Sequence, residues 1–143
     1  MLVSQILRTK GDMVFTATPD ETVAAGASLL YSRRVGAMVV LDGAHDVVGI
    51  VSERDIVRII AREGAQALTR PISECMSRDV VFADPGETVD QLLERMTDRR
   101  IRHLPVCKEG KLVGIVSIGD LVKSKIAETE AEAEGLKAYI AAG

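Results

Sequence analysis

Val47-Val48-Gly49-Ile50-Val51-Ser52-Glu53-Arg54-Asp55 returns later in the chain as Leu112-Val113-Gly114-Ile115-Val116-Ser117-Ile118-Gly119-Asp120. Each copy is an apolar run of strand length, then Ser-x-x-Asp. Apolar residues at helical spacing follow: Ile56, Val57, Ile59 and Ile60, or Leu121, Val122 and Ile126. A buried strand that turns straight into a helix leaves the Ser and the Asp in the helix's first turn. There the unpaired backbone N–H groups and the positive end of the helix dipole favour an anion.

The duplication extends outward from this phrase. Setting Pro19 on Pro85 places Glu21-Thr22-Val23 on Glu87-Thr88-Val89 and Arg33-Arg34 on Arg99-Arg100. The offset then drops from 66 to 65 between Leu41 and Val48, where turn residues cluster and a length change costs least. Each unit reads β-α-β-β-α. A short strand (Met13–Ala17 or Val80–Ala83) ends at Thr18-Pro19 or Asp84-Pro85, with Thr18 or Asp84 expected as an N-cap and Pro at the first helical position. A helix, a hairpin (Ala37–Leu41 with Val47–Val51; His103–Cys107 with Leu112–Val116) and a second helix follow.

Short helical leads, Val3–Leu7 and Ile72–Met76, precede the two units. The expected organisation is a first repeat with its lead over 1–66, a second over 67–126, and an acidic helical tail over 127–143. A unit of roughly 60 residues is marginal alone, so the fold class is α/β (α+β), with the two repeats packed about a pseudo-twofold axis. In the tail, Val122, Ile126, Thr129, Ala133, Leu136 and Ile140 form a narrow heptad-like seam. It either packs on its own body, frays, or joins a partner subunit.

The composition excludes several functions. The net charge of −3 sits in the tail: residues 1–126 carry 17 basic and 17 acidic side chains, and 127–143 carry one and four. A neutral body with two Phe, two Tyr and no Trp argues against nucleic-acid or membrane-surface binding. Cys75 and Cys107 are far apart with no clustered His, which argues against a metal site and suits buried thiols in a reducing compartment. The start of the chain lacks the pattern of a signal peptide, and no apolar run is long enough for a membrane span, so a cytoplasmic protein is expected. There is no nucleophile pair, metal constellation or phosphate-binding Walker loop, so no catalytic residue is assigned.

The doubled Val-Gly-Ile-Val-Ser-x-x-Asp, Arg33-Arg-Val-Gly-Ala-Met-Val-Val and Arg99-Arg-Ile-Arg-His-Leu-Pro-Val together resemble a pair of cystathionine-β-synthase (CBS) domains, the Bateman module, in its standalone bacterial form. The resemblance runs from about Val3 to Ile126. It implies a non-enzymatic sensor, typically a homodimer, that holds an adenosyl ligand (AMP, ADP, ATP, NAD(H) or S-adenosylmethionine) in a cleft between its repeats. Carried onto this sequence, Asp55 and Asp120 take the ribose hydroxyls. Ser52, Arg54, Ser117, Arg102 and His103 take phosphate. Ile50 and Ile115 wall the adenine of their own sites, and the opposite repeat adds Thr18 and Ala37 or Asp84 and Ile101. No metal or catalytic cofactor is implied. The alternative is a ligand-free adaptor whose helix faces bind an enzyme or transporter.

The residues support the sensor in their own right, because a carboxylate accepts from a vicinal diol through two oxygens. Ser-x-x-Asp also fits a plain capping box with Asp in place of Glu, and both readings can hold before ligand binds. Gly36-Ala37 stands where the second repeat has Arg102-His103, and Gly119 stands where the first has Arg54. The two sites are therefore expected to differ in affinity or ligand. His103 has two readings, ligand contact or structural. The Arg33-Arg34 and Arg99-Arg100 pairs read as solvated helix ends, His45 as exposed, and Met38 and Met96 as core.

Overall fold

In chain order the elements are α1 (Val3–Lys10), β1 (Thr16–Ala17), α2 (Val23–Arg33), β2 (Ala37–Leu41), β3 (Val47–Ser52), α3 (Glu53–Glu63), α4 (Val89–Arg99), β4 (His103–Lys108), β5 (Lys111–Ser117) and α5 (Ile118–Ala142). 3-10 turns span Gly64–Thr69 and Ile72–Glu74. This computed structural model describes residues 1–11 and 13–143. They form two compact units, one of Met13–Val81 and one that joins Met1–Asp12 to Phe82–Gly143.

Both hairpins form where the paired apolar runs and the turn residues between them place them. In one, β2 and β3 pair antiparallel with Met38 opposite Val51; in the other, β4 and β5 pair with Leu104 opposite Val116. The first strand of each repeat is shorter than expected. Thr16–Ala17 pairs parallel with Val39 and Val40, while Val80–Ala83 contributes a single bridge, Ala83 to Val106. The reason is Pro105, at the position of Val39. In a parallel ladder its N–H would bond the carbonyl of Val81, and proline has none to give.

The helices start later than the sequence pattern suggested. Thr18 and Asp84 are not N-caps: Thr18 bonds the Glu21 carboxylate through N and Oγ1, and Asp84 N bonds that of Glu87. Each Pro lies inside a turn closed by Glu21 N to Thr18 O or Glu87 N to Asp84 O. The caps are Thr22, accepting from Ala25 N at 3.1 Å, and Thr88, accepting from Gln91 N at 3.2 Å. Both helices end on an arginine in the left-handed region, Arg34 (φ 54°) and Arg100 (φ 55°), whose N–H groups close the last turn.

The glycine inside each doubled phrase is explained by packing. A Cβ on Gly49 would lie 2.6 Å from Met76 Sδ and 3.0 Å from the Ser77 carbonyl; one on Gly114 would lie 2.6 Å from Leu7 Cδ2. Each lead therefore sits against the β-hairpin of the repeat it does not precede in sequence. Val3 N and Ser4 N bond the Glu87 and Pro85 carbonyls, and Ile72 N bonds that of Glu21.

The core of unit 13–81 is Ala17, Val23, Leu30, Met38, Val40, Val51, Ile56, Ile59, Ala67, Ile72 and Met76. In the other unit Val3, Val89, Leu92, Met96, Leu104, Val116 and Leu121 are almost wholly buried. Met38 and Met96 are core residues and His45 is exposed, as their positions suggested. Helix α5 continues unbroken through the tail. Its contacts with its own unit reach Glu128, 3.4 Å from the N-terminal amine, and every residue from Thr129 on is exposed. The tail seam therefore does not pack on its own unit.

Candidate ligand site at the strand–helix turns

Where β3 becomes α3, Ser52 keeps an extended backbone (φ −119°, ψ 165°) while Glu53 is already helical. Ser52 Oγ accepts from Asp55 N at 3.2 Å, and Asp55 Oδ2 accepts from Ser52 N at 2.9 Å and from Ser52 Oγ at 3.1 Å. Arg58 Nη1 donates to Asp55 Oδ1 at 3.1 Å. Asp55 is buried, with 6% of its surface exposed. A buried carboxylate needs partners for its lone pairs, and the capping box and Arg58 supply them.

The β5-to-α5 turn repeats the box and replaces the cation. Ser117 Oγ accepts from Asp120 N at 3.1 Å, and Asp120 Oδ2 accepts from Ser117 N at 2.8 Å. The cation is Lys10, the last residue of α1, whose Nζ donates to Asp120 Oδ2 at 2.7 Å and to the Ile115 carbonyl at 2.8 Å. Partial burial pushes the Asp120 carboxyl up. The Lys10 hydrogen bond, the Ser117 N–H and the Lys10 charge outweigh it and hold Asp120 below the usual aspartate value.

Several expected residues gather at these turns. Ala37 pairs with Ser52, and Glu53 N bonds the Gly36 carbonyl, so the start of β2 lies beside the first turn. His103 pairs with Ser117, and Ile118 N bonds the Arg102 carbonyl at 2.8 Å, so Arg102 and His103 lie beside the second. Arg54 is exposed on α3; Ile50 and Ile115 are half-buried strand residues just before the turns. Thr18 and Asp84 lie elsewhere in their units. Ala17 pairs with Val40 and Ala83 with Val106, which carries the following residue toward the hairpin loop and away from the strand–helix turn. Ile101 is half-buried between α4 and β4, its N–H on the Met96 carbonyl.

Two residues at the turns, Arg58 and Lys10, escaped the sequence reading. Arg58 had a local signal, since Asp and Arg three apart share a helix face. Lys10 had none. Cys75, expected as a buried thiol, is half-buried against the core; desolvation raises its thiol and the negative charge of Asp55 raises it further.

Two copies of one strand–turn–helix unit, each with an engaged carboxylate at its turn, define a tandem-repeat α+β module. Residues 3–62 and 72–126 both match the CBS domain model, and the chain belongs to the CBS domain family. It is 31% identical to the CBS domain-containing protein YhcV of Bacillus subtilis, over 90% of this chain and 91% of that one. Among solved structures it is similar to the CBS-domain containing protein ATU1752 of Agrobacterium tumefaciens (TM-score 0.85, 42% identity, 87% of this chain and 92% of that one). It is also similar to the CBS domain pair of protein MJ0100, solved in complex with 5'-methylthioadenosine and S-adenosyl-L-methionine (TM-score 0.80, 26% identity, 90% and 98% coverage). No helix among the described residues is long and apolar enough to cross a membrane.

Proposed function

We propose that the chain is a non-catalytic, cytoplasmic regulatory module that senses an adenosyl ligand (AMP, ADP, ATP, NAD(H) or S-adenosylmethionine) at its Ser-x-x-Asp turns. The observation that carries this reading is the repeated turn itself: a carboxylate held in place by the N–H of the serine that caps the helix, twice in one chain. The likeness to a CBS pair solved with two adenosyl compounds supports it.

In this reading Asp55 and Asp120 accept the ribose diol. A carboxylate offers about four acceptor positions, so the capping bond to the Ser N–H survives binding. Ser52 and Arg54 at one turn, and Ser117, Arg102 and His103 at the other, receive phosphate. Ala37, Ile50, Ile101 and Ile115 contribute apolar and backbone surface for adenine, whereas Thr18 and Asp84 take no part at the turn of their own unit. A ligand then regulates by favouring whichever arrangement of the protein binds it better. The module is proposed to act as a homodimer. Tyr31, Val57, Ile60, Val122 and Ile126 are large and exposed, and a second copy would cover such surface.

A thermal-shift screen with AMP, ATP, NADH and S-adenosylmethionine tests the reading. At one hundred times its dissociation constant a ligand stabilises by about 2.7 kcal/mol. A clear rise in Tm with at least one of them is expected. No rise with any would refute the sensor and favour an adaptor that works through its exposed helix faces.

A further inference from the structure

We propose that Lys10 sets the ligand charge accepted at the Asp120 turn: it favours adenosyl compounds carrying a phosphate and penalises neutral ones. This rests on the adenosyl reading above and adds a selectivity to one of its two turns.

Lys10 Nζ bridges Asp120 Oδ2 and the Ile115 carbonyl, at 2.7 and 2.8 Å. Those acceptors belong to the residues assigned to ribose and adenine. A diol that engages both carboxylate oxygens takes Oδ2 from the ammonium. The Lys10 side chain is 35% exposed and that of Asp120 26%, so the pair is reachable from solvent yet not fully hydrated. An ammonium deprived of its carboxylate there is left short of a partner and needs another anion. A phosphate ester attached to the same ribose supplies one, and a neutral nucleoside does not.

The other turn lacks this device. Arg58 reaches Asp55 from the same helix, and its side chain is 57% exposed, so it can return to water when the carboxylate is taken. Lys10 lies three residues past Leu7, which packs on Gly114; three residues past Met76, which packs on Gly49, stands Asp79, an exposed acid.

The test follows the Asp120 side-chain carboxyl carbon by NMR in the full chain while AMP or adenosine is added, which reads binding at this turn apart from the Asp55 turn. Wild type and Lys10→Met are compared. Lys10→Met is expected to lower the ratio of AMP to adenosine affinity about fivefold, the upper range for a partly exposed ion pair, and Lys10→Arg to retain most of it. Without ligand, the Asp120 titration midpoint is expected to rise in Lys10→Met. An unchanged affinity ratio would overturn the charge selectivity while leaving adenosyl binding intact. An unchanged midpoint would show that the Lys10 contact is absent in solution and overturn it as well. If neither ligand moves the resonance in wild type, the adenosyl reading of this turn fails first.

Discussion

The two Ser-x-x-Asp turns share a backbone and differ in how their acid is held. Asp55 is buried and braced by near neighbours in sequence, the capping Ser52 and Arg58 of α3. Asp120 is half-buried and braced partly from outside, by an ammonium 110 residues away in sequence. A similar contrast recurs near the start of α4. Glu87 pairs with Arg95, which also donates to the Phe82 carbonyl at 3.1 Å, whereas Glu21, its counterpart, bonds Thr18. Duplication thus preserved the turn geometry while the charged contacts around it diverged, and ligand preference is the property that divergence can alter.

The largest expected difference between the repeats comes from their glycines. Gly49→Val forces new carbons against Met76 and against the Ser77 carbonyl, which cannot rotate away. A loss of about 1–3 kcal/mol is expected from overpacking, read as a drop in denaturation midpoint. Gly114→Val meets only the end of the Leu7 side chain, so its loss should be smaller. Equal losses would show that the backbone contact at Ser77 is not what sets the first repeat apart.

Removing the caps ranks next. Ser52→Ala and Ser117→Ala are each expected to cost about 1 kcal/mol, the usual loss for an N-cap. Ser52→Ala should be the worse, because Ser52 Oγ also donates to the buried Asp55. Chemical denaturation of both variants checks the order.

Acid should weaken the unit of Met1–Asp12 and Phe82–Gly143. Glu87 is lowered chiefly by its hydrogen bond from Arg95, and Asp120 is lowered because Lys10 and Ser117 outweigh its burial. A carboxylate whose folded pKa is depressed contributes stability that is complete above its unfolded value and disappears as pH falls through the folded one. Stability is therefore expected to decline below the ordinary values of 4.5 for Glu and 3.8 for Asp. Lys10→Met should flatten part of that decline. An acid profile identical to wild type would contradict the pairing.

The smallest effect concerns the helix ends. Arg34 and Arg100 hold left-handed backbones that glycine adopts without cost. Arg34→Gly and Arg100→Gly are each expected to be neutral or stabilising by less than about 1 kcal/mol, measured by Tm. Destabilisation at one site alone would reveal a side-chain role there; for Arg34 its neighbour Arg33 already stacks on the Phe15 ring at 4.9 Å.

Much of this was readable from the chain because the information was local and stated twice. Val-Gly-Ile-Val-Ser-x-x-Asp encodes strand, turn and cap within eight residues, and both hairpins and both capping boxes follow from it. The helix starts were misplaced because Pro19 and Pro85 suit a turn as well as a first helical position, although Thr88-x-x-Gln91 spelled a capping box. The loss of a strand at Val80–Ala83 depended on a proline missing one N–H in a neighbouring strand. Lys10 was illegible because nothing near it in sequence marks the carboxylate it reaches.

The proposed function requires that Asp120 grip a ligand. Calorimetric titration of the full chain with AMP, repeated on Asp120→Ala after circular dichroism has shown the variant folded, is the direct measurement. Binding by wild type is expected, with the loss of at least one site in the variant. Undiminished binding by Asp120→Ala, with the same number of sites and the same affinity, would contradict it.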